Sequence, residues 1–165
     1  MAVLRQQDLS KGRAAYAQWR DAAKAALQAL AGGTDGDEAH AATDGAAVAA
    51  IASGIPDVPA SARLAFKPDL PRPVWAMAVR FSLFMLERRA PGEGVEVRVA
   101  PWGAIKILDG PASDPHNLTP PDVIELEPEV WLRLATGVTT WAEEKEAGRI
   151  SAVGERDDLS DLLPL

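Results

Sequence analysis

The 165-residue chain holds two histidines and no cysteine. A thiol nucleophile, a thiolate zinc site and a disulfide scaffold are therefore excluded. His40 and His116 both fall in predicted loops, and no His-x-x-x-His pair exists. Metal centres usually take three or more side-chain ligands, so no metal is expected. Asp114 and His116 have the spacing of an acid–base pair on one loop. A solvated polar loop accounts for them equally well. Ser113, Ser151 and Ser160 lack the context of a nucleophile elbow. Gly32-Gly33 and Gly92-Glu93-Gly94 have neither the spacing nor the lysine of a phosphate loop. The paired acids Glu143-Glu144 and Asp157-Asp158 are explained by helix capping and solvation. No catalytic residue and no cofactor is expected.

The elements that would position such groups follow from periodicity. Ser10 to Ala31 reads as a helix capped by Ser10 and ended by Gly32-Gly33. Tyr16, Trp19, Ala23, Ala26, Leu27 and Leu30 make one apolar stripe on it. Residues 33–42 read as a loop, and Asp44 to Ser53 as a second short helix. Five prolines between Gly54 and Pro73 mark a linker, which places a boundary near residue 60.

Pro73 suits the first turn of a helix running to about Arg89, stopped by Pro91-Gly92. Its apolar residues cover far more than half the circumference. Ala76, Arg80 and Glu87 share the one narrow polar face. Such a helix must be buried on two sides, or on one side with something greasy against the other. Val95 to Val99, Ala104 to Leu108, Asp122 to Glu127 and Arg149 to Val153 read as strands, the first two as a hairpin. Gly110 to Pro121 is a proline-rich loop. Pro128 opens a short helix with Gly137 in the position after its end, and Thr140-Trp141-Ala142-Glu143 is a capping box. Asp158 to Leu163 closes as an apolar turn or short helix. This order implies an antiparallel sheet with helices on one face.

The formal net charge of −7 argues against a nucleic-acid partner. It also disfavours docking on anionic membranes. Val74 to Leu86, the longest apolar stretch, is broken by Arg80 and Ser82 and is too short to span a bilayer. The N-terminus lacks the apolar core of a secretory signal, so a cytoplasmic protein is expected.

Val123-Ile124-Glu125-Leu126, Trp131 to Gly137, Trp141-Ala142, Gly148-Arg149-Ile150, Gly154 and Leu159 to Leu163 occur in one order and spacing. That succession resembles the tail of the sterol carrier protein type-2 domain. Upstream, Val95 to Val99, Pro101-Trp102-Gly103-Ala104 and Thr119-Pro120-Pro121 resemble a bacterial branch of that family often seen in actinobacteria. The likeness covers about residues 70 to 165. It implies an α+β fold: an antiparallel sheet of about five strands covered on one face by helices. Residues 1–60 would form a helical N-terminal extension and linker, and 61–165 the domain itself.

The resemblance further implies a non-enzymatic protein that holds a sterol, fatty acid or acyl conjugate between helices and sheet. Its walls would come from Trp75, Val79, Leu83, Phe84, Ile105, Ile107, Leu126, Trp131, Leu134 and Leu162. Trp102, Trp131 and Trp141 are core residues first and lining second. The alternative is an interaction or accessory module with a filled core, and a homodimer is compatible with either. Some actinobacterial enzymes, mycothiol-dependent maleylpyruvate isomerase among them, join a similar domain to a metal-binding helical bundle. The stretch before residue 60 is too short for that bundle and holds the single histidine His40.

Overall fold

The computed structural model describes residues 3–32, 58–110 and 122–165. Expectations for residues 33–57 and 111–121 lie outside them, including the helix at 44–53 and the groups on Ser113, Asp114, His40 and His116.

After a 3-10 turn at Gln6–Asp8, helix α1 spans Leu9–Gly32 and α2 spans Ala60–Ala65. Helix α3 follows at Arg72–Arg89, then strands β1 (Pro91–Val99), β2 (Gly103–Ile107) and β3 (Asp122–Leu126). Helices α4 (Pro128–Thr136) and α5 (Trp141–Glu146), strand β4 (Ile150–Val153) and a 3-10 turn at Ser160–Leu162 complete the chain. Helix α2 lies within the stretch expected to be linker. Prolines do not prevent this, because Pro59 serves as its N-cap and lies before the turn that needs donors.

The strands alternate as their sequence requires. Val95, Val97, Val99, Ile105, Ile107, Ile124 and Leu126 are buried. Glu96, Arg98, Lys106 and Glu125 are on the other side of the pleat and reach solvent. Helices therefore cover one face, and the opposite face is a charged surface on which Arg98 bridges Glu96 (2.8 Å) and Glu125 (3.0 Å).

The sheet corrects the expected pairing. Its order is β2-β1-β3-β4, four strands among the described residues, and β1 and β3 run parallel. The reason is geometric. β2 runs back along β1, pairing Val99 with Gly103 and Val95 with Ile107. The chain thus returns to the end where β1 began and enters β3 in the direction of β1, pairing Asp122 with Val95. Alternation has the same period in both kinds of ladder, so it cannot distinguish them.

Helix α3 packs on β1 and β2, and α1 packs on the outer side of α3. That disposes of the excess apolar surface noted on α3. Tyr16, Trp19, Ala23 and Leu27 form the buried stripe of α1, whereas Leu30 is 48% exposed, outside the expected face. α1 lies tight against α3 at Gly12, where an added Cβ would lie 2.9 Å from Phe81 Cβ. The expected Ser10 cap is displaced: the helix begins one residue earlier, continuous with the preceding turn. Gly137 has φ 74° after α4, and the amide of Val138 donates to the Arg133 carbonyl there (2.8 Å). A left-handed residue of this kind closes the helix end at no steric cost.

Candidate functional site

The layer between α3 and the sheet begins with one buried polar step. Ser82 has no exposed surface, and its hydroxyl donates within α3 to the Ala78 and Val79 carbonyls. The indole N–H of Trp131 on α4 donates to that same oxygen at 2.7 Å. A buried indole needs such an acceptor, and Ser82 supplies it where the apolar run of α3 is interrupted. The indole N–H groups of Trp19 and Trp141 are buried without a partner among the described residues.

The residues expected to form ligand walls lie in or against the hydrophobic core. Trp75, Val79 and Leu83 from α3, Ile105 and Ile107 from β2, Leu126 from β3, and Trp131 and Leu134 from α4 belong to one buried cluster. Phe84 and Leu162 pack against it from the edge, partly buried. Val79, Leu83, Ile107 and Trp131 are 0% exposed. A side chain with no surface open to a water-sized sphere borders no water-sized void, so at these four positions the layers are in contact.

An aromatic series leads outward from there. Trp19 meets Phe66 edge-on (5.5 Å between centroids) and Trp75 likewise (6.0 Å). Trp75 stacks on the half-buried Trp102 at 6.3 Å.

A polar frame, missed in the sequence, holds the helices in place. Arg133 and Glu144 are buried together, with Nε 2.7 Å from Oε1. Thr139 donates to the same carboxylate (2.7 Å), and Arg133 reaches the Phe66 carbonyl (3.0 Å). Glu144 is thus neither a cap nor a solvated acid, as its place beside the capping residue had suggested. Glu143 completes the expected capping box with Thr140 and also receives Arg63, which reaches the Val138 carbonyl as well. Burial acts to raise the Glu143 carboxyl's pKa, but the hydrogen bonds from Arg63 and Thr140 outweigh it and hold the group below its ordinary value. The one signal for this frame was an arginine inside the apolar run Trp131-Leu132-Arg133-Leu134.

At the far end of the sheet, Asp122 accepts from Arg156 Nε (2.7 Å) and from the Glu155 amide (3.1 Å). Arg156 also donates to the Gly94 and Asp109 carbonyls. Gly154, at φ 118°, leaves no room for a Cβ, which would fall 1.9 Å from Asp122 Oδ1. Among the described residues no group of acids and histidines is placed to hold a metal ion. No described helix is long and apolar enough to cross a membrane.

Residues 71–165 match the family model described as bacterial SCP ortholog. The chain belongs to this sterol-carrier-like family. No curated protein matches it. The sterol-carrier-like match opens at Pro71, the N-cap of α3. Helix α1 precedes the matched region, yet it contributes Trp19, Ala23 and Leu27 to the same core and donates the Tyr16 hydroxyl to the Ala135 carbonyl on α4 at 2.8 Å.

Proposed function

We propose that this protein binds an apolar, lipid-like ligand (a sterol, fatty acid or acyl conjugate) between α3 and the sheet, and does so without catalysing a reaction. The observation that carries this reading is the membership in the sterol-carrier-like family; eight of the ten proposed wall residues lie in the buried core, and Phe84 and Leu162 pack against it. Burial is the whole mechanism. A ligand of about 25 heavy atoms at roughly 0.3 kcal/mol each gains about 8 kcal/mol, which corresponds to micromolar affinity. Because Val79, Leu83, Ile107 and Trp131 are in contact, binding requires side chains or α3 to move. Partly buried residues at the margin of the core, such as Phe84, Trp102 and Leu162, are the ones free to move first. The acidic composition suits a cytoplasmic setting, without nucleic acid or stable membrane insertion.

A second reading is favoured by the same contact. A layer filled by its own side chains suits an accessory or interaction module, as a monomer or homodimer, with no ligand. Titration of an apolar fluorescent probe separates the two. Probe uptake, reversed by added fatty acid or sterol, is expected for the carrier. No uptake at probe concentrations far above micromolar overturns it and leaves the accessory module.

A further inference from the structure

Three surface grooves differ sharply in charge. One is lined by Glu87, Glu93, Glu96 and Lys106 with apolar neighbours. Another mixes Arg98 and Arg149 with Glu125 and Glu127. The third, of about 450 Å³, is lined by Arg72, Pro73, Ala76, Arg80, Pro101 and Trp102, with no acid. In a chain of net charge −7, an acid-free groove carrying two guanidinium groups is a local reversal of sign.

Its construction follows from α3. Arg72, Ala76 and Arg80 are spaced four residues apart, so they lie along one face of the helix. The arginines stand about 12 Å apart along the axis, and the small Ala76 leaves a notch between them. Arg80 is tethered by its Nε to the Trp102 carbonyl at 3.1 Å. Among the described residues its terminal nitrogens have no acceptor, and Arg72 has no ion pair or hydrogen bond. A guanidinium presents paired donors in a fixed fork that matches carboxylate and phosphate oxygens. Beside the fork stands the Trp102 ring, stacked on Trp75, which is itself one of the wall residues.

We propose that the Arg72–Arg80 notch binds an oxyanion, a phosphate or carboxylate, whose attached apolar chain passes over Trp102 toward Trp75. The preferred ligand is then an anionic amphiphile, not a neutral sterol. The tail's destination rests on the carrier reading above. The head's position rests only on the notch.

Isothermal titration and amide chemical-shift mapping of the full chain test this with dodecyl phosphate below its micelle concentration, dodecanol, and inorganic phosphate. Dodecyl phosphate is expected to bind at least ten-fold more tightly than dodecanol and to shift amides around residues 72–80 and 101–103. Arg72→Gln and, separately, Ala76→Leu are expected to remove that preference while leaving dodecanol binding unchanged. Arg80→Gln breaks the tether to Trp102 and is a supporting variant only. If inorganic phosphate shifts the same amides as strongly as dodecyl phosphate, and the chain adds no affinity, the notch stands as an oxyanion site and its link to the apolar cargo is overturned. Equal binding of dodecanol and dodecyl phosphate, insensitive to Arg72→Gln and Ala76→Leu, overturns the notch and leaves the carrier reading intact. Dodecyl phosphate binding by neither the wild-type chain nor the variants overturns the notch too, and the uncharged probe then decides the carrier reading by itself.

Discussion

Arg133 is 1% exposed and its carboxylate partner Glu144 is 0% exposed, so both charges have left water. Removing one leaves the other buried and unpaired, which costs about 3–5 kcal/mol. Arg133→Met is therefore expected to lower urea-measured stability by that amount. The double substitution Arg133→Met with Glu144→Met is expected to recover most of it, because two apolar side chains fit where two charges were. A single-variant loss below about 1 kcal/mol would sink the claim that the pair is desolvated. Asp122 makes a second, pH-dependent case. Burial acts to raise its pKa, but the hydrogen bonds from Arg156 and the Glu155 amide prevail and hold it below the ordinary carboxylate value. A depressed native pKa contributes stability that is complete above the unfolded value of about 3.9 and is lost as pH falls through the native one. Acidification from about pH 5 to pH 2 should erode wild-type stability more steeply than that of Asp122→Asn; equal slopes in urea titrations would contradict it. Neither partnership was readable beforehand. Arg156 and Asp122 are 34 positions apart, and a charged residue in isolation looks the same whether it is solvated or paired.

At the scale of elements, α1 offers a spectroscopic handle. Tyr16, the one tyrosine of the chain, has its pKa pushed up to about 12 by burial, with the nearby charge of Arg20 pulling the other way. A raised tyrosine pKa means stability that is full below the unfolded value of about 10 and is lost as pH rises through the native one. The phenolate absorbance of the folded protein should therefore have its midpoint near 12. Gly12→Leu, which forces a side chain into Phe81, should pry α1 from α3 and bring the midpoint back toward 10. An unchanged midpoint in that variant would mean that α1 is held independently of the contact at Gly12. The stripe that seats α1 was visible as Tyr16, Trp19, Ala23 and Leu27, because a 3.6-residue period survives in one dimension. Its partner was only half visible: α3 showed too much apolar surface for one neighbour, without saying what lay on the second side. The capping residues of α4 and α5 were readable because caps are local chemistry. The parallel pairing of β1 with β3 was not, since it depends on where β2 leaves the chain.

Across the whole molecule, the space between α3 and the sheet decides between a carrier and a solid core. The ten residues expected from the sequence to line a ligand lie in or against the one hydrophobic core, which is what their apolar character alone requires. A sequence reports which side chains are apolar, but not whether the space between them is filled, because packing depends on shapes contributed by distant elements. Leu83 is a useful probe of that space. It has no exposed surface and reaches toward Gly103, where an added Cβ would sit 3.0 Å from its Cδ1. Leu83→Ala removes apolar volume between α3 and the sheet, and a truncation of this kind costs about 2–5 kcal/mol. If ligands enter this layer, the wild-type protein must spend part of their burial energy on moving side chains that already touch. The variant has that room in advance. It is therefore expected to be less stable yet to bind an apolar probe more tightly per folded molecule, with saturating probe restoring part of the lost stability. At 100 times its dissociation constant the probe adds about 2.7 kcal/mol. Thermal denaturation with and without probe measures both effects in one series. A variant that loses stability but gains no affinity would place any bound ligand elsewhere on the molecule, and the layer would then be a core and nothing more.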